Sequence, residues 1–145
     1  MTKKLILSAA LCIIAANVFA QKSARMEENF DFDWKFTKVE IPARVDSFLP
    51  AEAGMETAGY DDSAWETVQT PHDWNIKDKF DPMSAGSAAS LPEGIGWYRK
   101  AFRVPASMKG RSLEIVFDGI FQKSDVYING HHLGTHPYGF TTVHY

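Results

Sequence analysis

The chain has 145 residues, 45% of them hydrophobic and 13% aromatic, and a formal net charge of −3. Its single cysteine excludes an intrachain disulfide framework and a cysteine-ligated metal cluster. Acidic and basic residues are interspersed, which leaves no basic footprint for nucleic acid and no charged patch for a membrane surface.

Lys3 and Lys4 precede an apolar run from Leu5 to Phe19, interrupted only by Ser8 and Asn17, and Val18-Phe19-Ala20 leads into Gln21. This pattern predicts a secretory signal peptide over residues 1–20, and hence a periplasmic or secreted protein with no membrane attachment after cleavage. The run of about fifteen residues is shorter than the roughly 20 that a spanning helix needs. Cys12 follows Leu11, where a lipoprotein signal would place Gly or Ala, so no lipid anchor is expected. The mature chain would hold 125 residues, a net charge of −5 and no cysteine. One domain is the expectation at that length.

Residues 21–29 are polar and read as a flexible leader; residues 30–145 read as the domain. Asp31 to Phe36 alternates charged and aromatic residues, the period of a half-buried strand, with Phe32, Trp34 and Phe36 on one face. Residues 41–60 carry Pro42, Pro50, Gly54 and Gly59 and read as loop, and Tyr60 to Trp65 as a turn anchored by Trp65. A short strand from Trp65 to Thr70 leads into Pro71-His72-Asp73-Trp74. Asn75 to Pro92 shows neither helix nor strand period, and long loops of this kind are usually functional or disordered.

Ile95 to Val104 resumes the strand signal, with Trp97 and Tyr98 directed to opposite faces. Ser112 to Ile120 gives the clearest strand pattern, and Gly119 marks a bulge or corner. Ser124 to Ile128 predicts a strand, Asn129-Gly130 a type I′ hairpin turn, and His131 onward the returning strand. Phe140 to Tyr145 starts one more. No helix-period stretch exceeds about two turns, so the expected fold is an all-β antiparallel sandwich. Six or seven strands fall short of the roughly eight of a jelly roll, so the last strand or strands are expected to be missing.

Taken in order, these segments resemble the N-terminal sugar-binding domain of glycoside hydrolase family 2, the β-galactosidase and β-glucuronidase family. The resemblance rests on Phe32 to Phe36, Asp61 to Trp65, Thr70 to Trp74, Leu91 to Phe102, Phe117 to Ile120, Val126 to Gly130, and Leu133 to Thr141. It covers roughly residues 30–145 and is nearest to exported β-galactosidase-like members of Bacteroides-type bacteria. It implies a galactose-binding-like jelly roll, and a parent enzyme that hydrolyses a terminal β-linked sugar, most readily galactose, with retention of configuration. In that family an immunoglobulin-like sandwich and a (β/α)₈ barrel with two catalytic glutamates follow. A barrel takes about 250 residues, so no catalytic residue is expected in this chain, and the loop residue Glu93 is not promoted to one. No cofactor is implied.

His72, Asp73 and Trp74 are the candidate substrate-binding residues. Aromatic faces stack on sugar C–H surfaces, while carboxylates and imidazoles hydrogen-bond hydroxyls, and the resemblance implies that loops of this domain help shape the pocket. A structural reading stands beside it: Trp74 fills the core and Asp73 caps a neighbouring turn. His131, His132 and His136 suggest a metal site at first sight, but adjacent strand residues point apart and no carboxylate joins them locally, so a surface hairpin is expected and no metal. Three roles remain open: a domain that scaffolds and shapes the pocket of an absent barrel, a free-standing carbohydrate-binding module, or a non-functional fragment with an exposed sheet edge.

Overall fold

A computed structural model describes residues 25–40, 54–81, 91 and 94–145. The expected signal peptide lies outside the described residues, as do residues 21–24 of the leader, 41–53 of the first loop and most of the second loop. The chain divides into two units, Met1–Phe30 and Asp31–Tyr145. In the first, residues 25–30 form no strand or helix.

Every strand pairing among the described residues of the second unit is antiparallel. The strands are β1 (Trp34–Glu40), β2 (Glu66–Val68), β3 (Gly94–Arg99), β4 (Val116–Phe117), β5 (Ser124–Ile128), β6 (His131–His136) and β7 (Val143–His144). They form a three-stranded sheet ordered β2-β1-β3 and two pairs, β4-β7 and β5-β6. Helical structure among the described residues is limited to two 3₁₀ turns, Trp74–Lys77 and Ala106–Met108. The all-β antiparallel class expected from the sequence is therefore the observed one.

In the first sheet, β1 pairs with β3 from Lys35 to Glu40, with Phe36 opposite Tyr98 and Lys38 opposite Gly96. On its other edge Trp34 stands opposite Val68 of β2. Directly opposite residues share a face, so Trp34, Phe36, Lys38, Val68, Gly96 and Tyr98 line one side. Phe36 and Val68 are buried there, each contributing about 1.5–3 kcal/mol by leaving water. The opposite side carries Lys35, Thr37, Trp97 and Arg99, and Trp97 stacks on Tyr127 of β5 at 6.3 Å. Trp97 and Tyr98 thus point apart, as the strand period requires.

Several boundaries differ from the expectation: the strand expected over Ile95 to Val104 ends at Arg99, and those expected over Trp65 to Thr70 and from Phe140 shorten to β2 and β7. Asp33 adopts φ 59°, a left-handed turn conformation, so β1 begins only at Trp34. Phe32 does not join the aromatic face of the strand and is 51% exposed. At its other end β1 continues to Glu40, because Thr37-Lys38-Val39-Glu40 finds a partner in β3, although the alternation slips at Lys38. The nine-residue pattern from Ser112 to Ile120 yields a strand of two residues, since a ladder extends only as far as its partner. Val116 and Phe117 pair with His144 and Val143, and Ile115 exchanges backbone hydrogen bonds with Tyr145 at 2.8 and 3.0 Å.

The hairpin follows the sequence closely. Asn129 and Gly130 take φ of 51° and 82°, the positive pair that a type I′ turn needs. A register shift between Val126 and Tyr127 turns the β5-β6 ladder partway along. Across this hairpin Asp125 Oδ1 lies 2.8 Å from His132 Nε2 and accepts from the Thr135 hydroxyl. A carboxylate therefore meets one of the three histidines, His132, and joins it to neither of the others. Separation along the chain hid this contact, because the pairing is across strands. Among the described residues no three His, Cys, Asp or Glu side chains gather as a metal ion would require.

Candidate functional site

Residues 70–78 cross the aromatic face of the first sheet. Thr70 N–H donates to the Asp31 carbonyl at 2.8 Å, and the Thr70-Pro71 peptide is cis. From there His72, Asp73 and Trp74 enter three different environments.

His72 is half-buried. Its ring meets Phe36 edge-on at 4.7 Å, and Nδ1 shares a hydrogen bond with the Tyr98 hydroxyl at 2.8 Å. Burial, with the negative charge of Asp73 as a second cause, pushes the Tyr98 phenol up to about 12. The phenol therefore stays protonated through the neutral range.

Trp74 lies nearly parallel to Phe36, with ring centres 5.9 Å apart and planes inclined by 16°. It fits because β3 has no side chain beneath it: a Cβ on Gly96 would stand 2.1 Å from Trp74 Cζ3. Lys38 Nζ sits 5.9 Å from the Trp74 ring centre and forms an ion pair with Asp78. Both partners of that pair are largely shielded, at 15% and 27% side-chain exposure. Among the described residues, the buried atoms Trp74 Nε1 and Asn75 Oδ1 have no hydrogen-bond partner, an omission that costs about 1–3 kcal/mol per group. The ring thus sits in a slot shaped by packing.

Asp73 is exposed. It is the N-cap of the 3₁₀ turn Trp74–Lys77, with Oδ1 accepting from the Asn75 N–H at 2.9 Å. The turn falls at the start of the segment for which the sequence shows no regular period. A four-residue 3₁₀ turn is too short to leave a periodic signal. At its far end Lys77 pairs with Glu66 of β2, a hydrogen bond that holds the Glu66 carboxyl below its usual value.

Sequence reasoning missed Arg99. Its guanidinium donates from Nε to Asp62 Oδ2 at 3.0 Å and from Nη1 to the carbonyls of Met55 and Thr57. It lies 5.5 Å from the Tyr60 ring and 6.0 Å from Trp65. One planar cation thus fastens residues 55–65 to the outer side of the first sheet, using the fixed fork of donors that lysine lacks. Trp65 is the anchor its turn suggested, resting on Tyr60 at 5.6 Å.

No protein-family model matches the chain. A beta-galactosidase of Bacteroides ovatus is 36% identical to it over 128 residues, which are 85% of this chain and 13% of that enzyme. A beta-glucuronidase of Formosa agariphila is 39% identical over 121 residues, 81% of this chain and 11% of the enzyme. The crystal structure of a glycosyl hydrolase family 2 member from Bacteroides cellulosilyticus superposes with a TM-score of 0.63 at 32% identity, covering 81% of this chain and 14% of that one. In sequence and in fold, the chain matches the N-terminal domain of glycoside hydrolase family 2. This family 2 domain spans about an eighth of the length of the relatives it matches.

Proposed function

We propose that the chain serves as the N-terminal domain of an exported family 2 glycosidase, where it scaffolds a catalytic barrel and lends a loop to the sugar pocket. The observation that carries this reading is the match to a beta-galactosidase over 85% of the chain. The substrate is a terminal β-linked sugar, with a β-galactoside as first choice. A β-glucuronide is the second, favoured by 39% identity to a beta-glucuronidase. Export rests on the charged and apolar pattern of residues 1–20.

Among the three candidate residues, Asp73 is placed best to meet a sugar hydroxyl. It is exposed, while His72 is engaged by Tyr98 and Trp74 occupies the slot over Gly96. In this reading His72 and Trp74 hold the loop in place and Asp73 presents the carboxylate. The cap bond uses Oδ1, and a carboxylate has lone pairs beyond that one.

A barrel takes about 250 residues, so the expected outcome of an assay of the 145-residue chain on nitrophenyl β-galactoside and β-glucuronide is no turnover above background. Turnover would overturn the reading. Calorimetry with the same sugars separates the scaffold from a free-standing carbohydrate-binding module: a scaffold gives a flat trace, a module binds at millimolar concentration or better.

A further inference from the structure

Phe121 and Phe140 are 72% and 85% exposed, yet they are not loose. Their ring centres are 6.0 Å apart in an edge-to-face pair at 76°. The two loops that carry them touch through Gly139: a Cβ there would stand 3.0 Å from Phe121 Cα and from the Gln122 nitrogen. Gln122 and Lys123 follow Phe121 with consecutive positive φ of 36° and 50°, so an irregular backbone, rather than a strand, turns the ring outward. Tyr138, in the same loop as Phe140, is 70% exposed and rests on His136 at 6.4 Å. His136 is in turn held by the Thr141 hydroxyl at 2.9 Å.

We infer that the loops 119–123 and 137–141 form a docking surface for the remaining part of a family 2 glycosidase. Organised aromatic rings left in water are costly, and a contiguous apolar patch of this kind marks a surface built to be covered. The choice of occupant follows from length. The matched segment is 13% of the Bacteroides ovatus enzyme and 14% of the Bacteroides cellulosilyticus structure. Most of such a polypeptide lies outside the segment and is available to cover it. The aromatic face of the first sheet is already covered by residues 70–78, and its outer side by Tyr127 and residues 55–65. Among the described residues, Phe121 and Phe140 have no comparable cover. A sugar is the weaker occupant for an edge-to-face phenylalanine pair, since only one of the two rings can offer its face.

This inference rests on the family reading above, and the test separates the two. Residues 31–145 would replace the matched segment of the Bacteroides ovatus beta-galactosidase, and the chimera would be assayed on nitrophenyl β-galactoside and by thermal melting. The paired variant Phe121→Ser with Phe140→Ser would be made both in the chimera and in the 145-residue chain. The expected result is a folded, active chimera whose melting midpoint falls by several degrees in the variant. In the 145-residue chain the same variant should leave the urea midpoint unchanged and reduce anilinonaphthalene sulfonate fluorescence at least twofold. A chimera that fails to fold or to hydrolyse defeats the family reading. An active chimera whose midpoint ignores the two substitutions defeats the docking surface alone. Two other outcomes would also overturn it: Phe-dependent dimerisation of the 145-residue chain in sedimentation velocity, which would assign the patch to a second copy, or Phe-dependent retention on immobilised galactose, which would assign it to sugar.

Discussion

Around Phe36 the domain closes over its own side chains: His72, Trp74 and Tyr98 all bring rings within 6 Å of it, and Phe36 is left 7% exposed. Around Phe121 and Phe140 the chain also brings rings together, but leaves them in water. Both regions are aromatic, and both rely on a glycine that lets one segment lie against another. They differ in ladder length. The first sheet has a six-residue ladder between β1 and β3 and a segment laid across it, whereas β4 and β7 pair over two residues. An aromatic cluster becomes a core only when enough backbone is fixed around it to exclude water. Where the ladder is short, the same residue types become surface.

The comparison predicts unequal responses to mutation. Phe36→Ala should have the largest effect, since removal of a buried phenylalanine costs about 3–5 kcal/mol. That is a large share of the roughly 5–15 kcal/mol that holds a domain folded. Urea unfolding followed by tryptophan fluorescence measures it, because Trp74 stacks on Phe36. A midpoint close to that of the parent chain would mean that the first sheet is not the stabilising centre, and the contrast between the two regions would collapse.

Gly96→Ala probes the same face from below. The added methyl would meet Trp74 at 2.1 Å from Cζ3 and 2.8 Å from Cε3, so the ring must leave its slot or β3 must shift. Overpacking of this kind costs about 1–3 kcal/mol. The distinctive readout is the Trp74 emission, which should move to longer wavelength as the ring is displaced toward water. Loss of stability with an unmoved emission would place the strain in the backbone of β3 instead.

The sequence made some of this architecture legible and concealed the rest for physical reasons. Asn129-Gly130 announces its turn because only a few residues tolerate two positive φ values in succession. Ser124–Ile128 matches its expected strand residue for residue because its partner lies just beyond that turn. The Ser112 to Ile120 pattern overstated its strand because alternation records what a strand could bury, and pairing with β7 decides how much of it forms. At the candidate site, the aromatic and imidazole residues of 71–74 stand out by composition. Their partners do not: Tyr98 is 26 residues from His72, and Lys38 is 40 residues from Asp78. Arg99 was hidden in the same way, since the carbonyl of Met55 lies 44 residues before it. Each of these contacts joins strands or loops that are neighbours only after the sheet has formed, and no local period encodes them.

Tyr98 gives the smallest and most selective probe of the closed face. An unfolded tyrosine ionises near its ordinary value of 10.0, whereas in the folded domain burial, reinforced by Asp73, holds the phenol protonated up to about 12. Between these values the unfolded chain has released a proton that the folded chain retains, so stability should be fully present below pH 10 and fall as pH rises toward 12. Tyr98 is only half-buried, and solvent screening therefore makes the loss smaller than the shift alone would imply. Tyr98→Phe should lower stability at pH 8 by about 1 kcal/mol through the lost bond to His72, and flatten the decline above pH 10. Part of the slope should survive in the variant, since Tyr127 is also raised, by burial and then by the charges of Asp125 and Glu56. A urea midpoint measured from pH 8 to pH 11.5 for both proteins decides the matter. If the two curves stay parallel above pH 10, the phenol is not shielded by the Phe36 face, and that face is as open to water as the loops bearing Phe121 and Phe140.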